Sequence, residues 1–269
     1  MQQHRDKLIL AGVAQLATEG VPLPLHELSV TTAGAATGVS EADAIAAWTD
    51  DGDVDEANGY YREAVATRIL REQPGIGDQG LSSGGLQDTM EAVSSVLDTM
   101  PELESLSPEE RGDWLRWVFR EGTNSNHLMA DRSQLWQAYV AISASLLSQQ
   151  TVSPNLEAAW RHGEDTATLR YQNLYQLFAQ MFGLRLRYAY TWPQFATAVS
   201  ALSEGLMIRS NVSPHVRELT RCTGPNGEPE HWTLFGVAFE GLIRQFFEPD
   251  DDALETVLDH EDGPRAAGT

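Results

Sequence analysis

One cysteine, Cys222, and one lysine, Lys7, are all that this chain of 269 residues has of either type. A single thiol excludes an internal disulfide, a thiolate zinc cage and a Cys-x-x-Cys redox pair. It suits a reducing compartment, and the cytoplasm is the expected location. With Lys7 the only lysine, a Walker-type phosphate loop is excluded as well. Long apolar runs are also missing, since no stretch approaches the roughly 18 to 20 residues of a membrane span, and no membrane partner is expected. The segment from Leu8 to Ala17, following Arg5 and Lys7, superficially looks like a signal-peptide core, but Leu8, Ile9, Val13 and Leu16 recur as a helical stripe. Positive charge is scarce: 18 Lys and Arg stand against 39 Asp and Glu, a net of -21 that opposes non-specific attraction to nucleic acid or anionic lipid.

What is present is an ordinary globular composition. Hydrophobic residues are 42% and charged residues 21%, which excludes wholesale disorder and fibrous repeats. No alternating strand pattern flanked by hairpin turns stands out, so the expected fold is all-α. Helix starts are legible at Ser107-Pro108-Glu109-Glu110, with a capping Ser, a Pro in the first turn and a Glu reaching back, and at Ser153-Pro154 and Ser213-Pro214. Periodicity predicts helices near 5–19, 25–34, 40–48, 55–72, 86–100, 108–121, 128–150, 154–184, 193–211, 214–221 and 231–247. Glycine-rich breaks fall at Pro74 to Gly84 and at Thr223 to Pro229. The expected organisation is a helix-turn-helix-like domain over 1–55, a larger helical domain over 56–248 and an acidic, partly disordered tail over 249–269.

Several literal motifs carry no chemistry. Gly75-x-Gly77-x-x-Gly80 and Gly80-x-Ser82-x-Gly84 match dinucleotide and nucleophile-elbow patterns, but both mechanisms need a preceding strand to aim the loop, and none is expected here. His4, His26, His127, His162, His215, His231 and His260 are scattered without the i, i+4 pairing of a helical metal site. His162 and Asp165 share a helix face as an exposed pair. Asn211-Val212-Ser213 is a glycosylation acceptor only in a secreted chain. No nucleophile, base and orienter occur together, so neither an enzyme nor a cofactor is expected.

The first 60 residues form the strongest pattern: an amphipathic helix, a stop at Glu19-Gly20, a short helix, a tight turn and another short helix. In Thr32-Ala33-Gly34-Ala35-Ala36-Thr37-Gly38-Val39-Ser40 the small residues permit close helix crossing, Gly38 tolerates a positive φ, Val39 plugs the core and Ser40 caps the next helix. This turn and its upstream alanine spacing resemble the TetR-type bacterial regulators. Ser40 to Trp48 stands where that family has its recognition helix, and Ala201-Leu202-Ser203-Glu204-Gly205-Leu206 resembles the opening of its penultimate, dimerising helix. The resemblance implies an all-helical homodimer with an N-terminal DNA-reading domain and a C-terminal domain that takes a small effector.

The side chains depart from that family. Ser40-Glu41-Ala42-Asp43-Ala44-Ile45-Ala46-Ala47-Trp48 offers two carboxylates and no cation to a phosphate backbone. Ile45 stands where the family usually has a phosphate-contacting Tyr, and Asp51 stands near its usual Lys. Over residues 1–59 ten carboxylates face two cations, Arg5 and Lys7. Each phosphate contact steepens the salt dependence by about 0.9, and that term nearly vanishes here. Residues left for DNA are Arg5, Lys7, Thr31, Ser40, Trp48 and Arg62; the other reading of the acidic face is contact with a basic protein, with Trp48 either an anchor or a core plug.

In the C-terminal part, Trp232, Phe235, Phe239, Leu242, Ile243 and Phe246 form one apolar stripe, and Phe195, Val199, Leu202 and Leu206 form another. They fit a four-helix dimer interface or an intramolecular core. Aromatic density elsewhere points to a ligand pocket, with Trp114, Trp117, Trp136, Tyr139, Tyr171, Tyr175, Phe178 and Arg185 as candidates, or to core packing of the same rings. Residues 161–221 hold seven Arg against four acids, which allows an anionic or aromatic effector. The leading expectation is a dimeric, TetR-like regulator answering to a small hydrophobic or aromatic molecule, with conventional DNA binding disfavoured. The alternative is a helical module that acts through a protein partner or carries a small ligand.

Overall fold

The computed structural model describes residues 1–19, 25–72, 85–102, 105–148, 152–210, 212–216, 219–223 and 228–250. The two glycine motifs between Gly75 and Gly84, most of the turn after Thr223, and residues 251–269 of the acidic tail lie outside the described residues. The fold is mostly helical, as expected. Its helices are α1 Gln2–Glu19, α2 Val30–Thr37, α3 Glu41–Ala46, α4 Val54–Glu72, α5 Gly85–Leu97, α6 Pro108–Arg132, α7 Gln134–Ser148, α8 Pro154–Met181, α9 Trp192–Ser210 and α10 Leu234–Phe246. Among the described residues four short strands join them: β1 Leu184–Leu186, β2 Leu219–Cys222, β3 Pro229–Trp232 and β4 Phe247–Pro249. Among the described residues no helix is long and apolar enough to cross a membrane.

The chain divides into two compact units, Met1–Ser83 with Arg132–Ala167 and Gly84–Asp131 with Thr168–Thr269. The division expected after residue 55 is therefore corrected. Tyr61, Val65, Ile69 and Leu70 of α4 share one core with Leu8, Val13 and Leu16 of α1, and Leu135, Ala138, Ile142 and Leu146 of α7 join it. A three-helix domain ending at residue 55 would leave these apolar faces bare.

The first unit is organised around the approach of α1 to α4. Gly12 is buried, and a methyl group in its place would lie 2.3 Å from the Tyr61 hydroxyl oxygen and 2.8 Å from a Val65 methyl. The helices meet there because α1 has no side chain. A similar economy brings α2 onto α3, where Gly34 faces the Ala44 methyl. Between them Gly38 adopts φ 72°, a left-handed conformation that ends α2, and the Val39 amide donates to the Gly34 carbonyl at 2.9 Å. Ser40 then caps α3 by accepting from the Asp43 amide at 3.2 Å.

Three expectations change for identifiable reasons. The helix expected over 25–34 is a single 3-10 turn, Leu25–Glu27, followed by α2. The Val30 amide donates to Asn58 Oδ1 at 2.9 Å, and the Leu28 carbonyl accepts from Arg62 Nε at 2.9 Å, so α4 claims the backbone groups that a continuous helix would use. The break expected between 121 and 128 does not occur, and α6 runs through Gly122-Thr123-Asn124-Ser125-Asn126. Thr123 bonds back to the Phe119 carbonyl at 2.6 Å, while Asn124 donates to the His231 carbonyl at 3.2 Å and accepts from the Thr233 amide at 3.1 Å. Tertiary partners outweigh the poor helix propensity of these residues.

The third change is the appearance of strands. The expected helix over 214–221 is a 3-10 turn, Pro214–Val216, leading into β2, and the first turn of the helix expected at 231 belongs to β3. These strands pair antiparallel with Leu219 opposite Trp232 and Cys222 opposite Pro229. Trp232 is the pin of this hairpin: its indole donates to Thr223 Oγ1 at 2.8 Å and the Arg221 guanidinium lies 4.6 Å over its ring. Likewise α8 stops at Met181, short of 184, and β1 pairs with β4, Leu184 opposite Pro249 and Leu186 opposite Phe247. Order thus extends into the first residues of the expected tail.

The Tyr61 hydroxyl is buried and has no hydrogen-bond partner among the described residues, and burial raises its pKa well above the ordinary phenol value. Because an unpaired buried hydroxyl carries a desolvation cost, Tyr61→Phe is expected to leave stability equal or to raise it by about 1 kcal/mol. Gly12→Ala is expected to cost about 1 to 3 kcal/mol through overpacking, and less in the Tyr61→Phe background where the clashing oxygen is gone. Urea unfolding of the two single variants and the double variant checks this; a Gly12→Ala cost unchanged by Tyr61→Phe refutes the assigned contact.

Candidate functional site

The α2–Gly38–Val39–Ser40–α3 segment has the backbone of a helix-turn-helix, held from behind by α1 and α4. Its cations are nevertheless not presented for binding. Arg5 Nε donates to the Ala47 carbonyl at the end of α3, and its guanidinium lies 5.3 Å over the Trp48 ring. Arg62 Nε donates to Leu28. Both therefore have structural duties, and of the three cations named for DNA only Lys7 stands clear, beside Thr32 and Thr37 in a groove of about 660 Å³ between α1 and α2. Thr31 shares a hydrogen bond with Ser29 at 2.9 Å, and the Ser40 hydroxyl donates to the Asp43 carboxylate at 2.5 Å while capping α3.

Trp48 is partly buried against the first core, with its ring edge-on to Tyr61 at 5.9 Å. That is the core-plug alternative for this residue. Ile45 is buried too, so the position where the TetR-type resemblance expects a phosphate-contacting Tyr faces the core. What α3, the following loop and the first turn of α4 expose is acidic: Glu41, Asp43, Asp50, Asp51, Asp53, Asp55 and Glu56. Asp53 spends its carboxylate on the start of α4, accepting from the amides of Asp55 at 2.8 Å and Glu56 at 3.1 Å.

The eight residues named for a ligand do not belong to one unit. Trp136 and Tyr139 lie on α7 in the first, where Tyr139 is buried and its hydroxyl donates to Glu164. Trp114, Trp117, Tyr171, Tyr175, Phe178 and Arg185 lie in the second. There Trp114 and Trp117 stack at 4.8 Å, Tyr171 and Tyr175 at 6.0 Å, and Tyr175 meets Phe195 edge-on at 5.0 Å. Trp114, Trp117, Tyr175 and Phe178 all pack against the second core. Arg185 is exposed and paired across the β1–β4 ladder with Glu248 at 2.9 Å.

The residues expected at a dimer interface are also corrected in part. Phe195, Val199, Phe235 and Phe239 are buried inside the second core of a single chain, where α9 packs on α10. The ring of Phe239 alone meets Phe119, Tyr175, Phe195 and Phe235. Leu202, Leu206, Leu242 and Phe246 are partly buried at the edge of the same core. The two stripes meet within the chain, α9 against α10. The segment from Ala201 to Leu206 lies in the middle of α9 instead of opening it, with Ser203 buried and donating to Asn126 at 3.3 Å.

Asn58 was missed although it carries the link between α4 and α2. Its signal was a polar residue on the apolar face formed by Tyr61, Val65 and Ile69. The cleft described below, which draws on α4, the α3–α4 loop and α8, was not legible as a unit because its residues lie far apart in sequence. Among the described residues no group of three His, Cys, Asp or Glu could hold a metal ion. Comparison with protein-family models, with curated proteins and with solved structures finds no match for the chain.

Two outcomes follow. Arg5→Ala removes a charge-assisted bond and a stacked cation, so it is expected to lower stability by about 1 to 3 kcal/mol, whereas Lys7→Ala stays within about 0.5 kcal/mol. Chemical denaturation of the pair measures this, and equal effects would refute the structural role of Arg5. Burial also pushes the Tyr171 hydroxyl up to about 12 and that of Tyr175 well above its ordinary value. The fold keeps protons that the unfolded chain releases, so stability is full below about pH 10 and falls as pH rises through the folded values. Tyr175→Phe should flatten that alkaline decline in denaturation midpoints measured from neutral pH upward; an unchanged slope is evidence against it.

Proposed function

We propose that the chain is a TetR-like helix-turn-helix protein that works through a protein partner and a small effector, without reading operator DNA by the family's usual contacts. One observation carries this reading: the helix-turn-helix backbone is complete, yet Arg5 and Arg62 are bonded to the chain's own carbonyls while the surface of α3 and its following loop is carboxylate. A surface of that sign repels phosphates and favours a basic protein face. The effector part of the proposal is supported by the partly buried rings of Trp114, Trp117, Tyr171 and Tyr175 in the second unit, where Asn126 supplies a polar handle to Tyr171. A homodimer belongs to the same proposal. Its interface would draw on the outer edge of α9, where Leu202 and Leu206 are partly buried and Ile208 is half exposed, because the inner faces are occupied.

The second reading, a DNA-binding regulator, is favoured by one observation, the exposed Lys7 beside the hydroxyls of Thr32 and Thr37. Fluorescence anisotropy with mixed duplex DNA, at low and at moderate salt, separates the two. The expected result is no salt-sensitive binding at either salt concentration. Tight binding that weakens with salt by about 0.9 logarithmic units per phosphate contact would overturn the proposal in favour of DNA reading.

A further inference from the structure

The first unit contains an open cleft of about 1070 Å³ whose near end shares Asp50, Asp51 and Glu56 with the acidic face and which continues along α4 beyond it. One wall is a single face of α4. Glu56, Tyr60, Glu63 and Thr67 follow at steps of four, three and four, so they lie above one another along the helix. Trp48 and the loop residues Asp50 and Asp51 form the near end, and Asn155, Ala158 and Ala159 of α8 form the facing wall. Glu56 and Glu63 are seven residues apart, about 10 Å along the helix axis, with the Tyr60 ring between them.

These carboxylates are held but not neutralised. Glu56 accepts from the Tyr60 hydroxyl at 3.0 Å, and Glu63 accepts from Ser153 Oγ at 2.5 Å and Asn155 Nδ2 at 3.4 Å, all of them uncharged donors. Among the described residues none of Asp50, Asp51, Glu56 and Glu63 is in an ion pair. Two cations, Arg5 and Arg71, also line the cleft. Arg5 is committed to the Ala47 carbonyl at the near end, while Arg71 limits the run of negative potential at the far end. A concave wall with unneutralised carboxylates concentrates negative potential, and the half-exposed Tyr60 ring offers its face to a cation. Arg5 over Trp48 shows the same chemistry inside the molecule.

We propose that this cleft binds a linear aliphatic polyamine, its terminal ammonium groups at the two ends of the Glu56–Glu63 stripe and its methylenes along Tyr60. A compact metal cation could satisfy only one end of that stripe, and an anion meets like charge over most of its length. The site depends on neither reading of the helix-turn-helix.

The test is calorimetric titration of the full chain with spermidine at moderate salt, with magnesium at matched ionic strength as the comparison cation. Saturable one-site binding is expected for spermidine and not for magnesium. Glu56→Gln and Tyr60→Ala should each weaken it by roughly three- to tenfold, while Glu41→Gln, an exposed carboxylate on α3 outside the cleft, should leave it unchanged. All three side chains are exposed, and circular dichroism verifies that each variant is folded. Tyr60→Ala alters no charge, so its loss of affinity separates a site from a general counter-ion atmosphere. Absence of saturable binding, equal weakening by Glu41→Gln and Glu56→Gln, or magnesium binding as strong as spermidine would each overturn the proposal.

Discussion

The first unit depends on the absence of a side chain at Gly12. Helix axes usually lie about 8 to 10 Å apart, the distance being set by what stands between them. With no side chain on α1 at that level, Tyr61 and Val65 pack directly on its backbone, and the apolar faces of both helices close over one core. The helix-turn-helix is built against this pair: Val30 and Ala33 from α2 and Ala44 and Ile45 from α3 reach the same core. Tyr61 also meets Trp48 edge-on, so the residue that packs on α1 at Gly12 is the one against which the ring following α3 leans.

A chain with net charge -21 has few cations, and it matters where they are spent. Arg5 and Arg62 bond to main-chain oxygens, Arg221 and Arg244 bracket the buried carboxylate of Glu240 at 2.5 and 2.8 Å, and Arg120 pairs with Glu230. A guanidinium presents several donors in a fixed fork, which suits it to joining elements that a lysine could not hold at one geometry. The near absence of lysine and the structural use of arginine are thus two sides of one pattern: positive charge is placed where it fixes the fold, and the exposed face of the helix-turn-helix is left to carboxylates.

Helices with strong periodicity or explicit caps were legible in the residues. The Ser107–Glu110 box forms as expected, with the Ser107 amide donating to Glu110 at 2.7 Å, and hydrogen bonding from the Ser107 side chain, then from its amide, holds that carboxyl below its ordinary pKa. The Gly38–Val39–Ser40 turn likewise takes the anticipated conformation, because a left-handed glycine and a capping serine act locally. What local patterns could not carry were decisions made by distant partners. His231 and Thr233 hold Asn124 of α6 from about a hundred residues away, and β2 and β3 are short enough that their alternation is visible only once Leu219 is set opposite Trp232. Apolar stripes show that a face is covered and not by what, which is why Phe195 and Phe239 fitted an interface and proved to be core. Arg5 and Arg62 looked free for DNA for the same reason, since a sequence does not reveal which carbonyl a guanidinium will find.

The two bonds that tie α4 to the entry of α2 also restrict how the helix-turn-helix can move. Asn58 accepts from the Val30 amide and Arg62 donates to the Leu28 carbonyl, one turn apart on α4 and on either side of Ser29. A single bond would act as a pivot, about which α2 could swing. Two bonds of opposite polarity fix both position and direction, so the entry of α2 is held to α4 at two points and α3 is joined to it by a three-residue turn. Displacing α2 relative to α4 therefore requires breaking both bonds together.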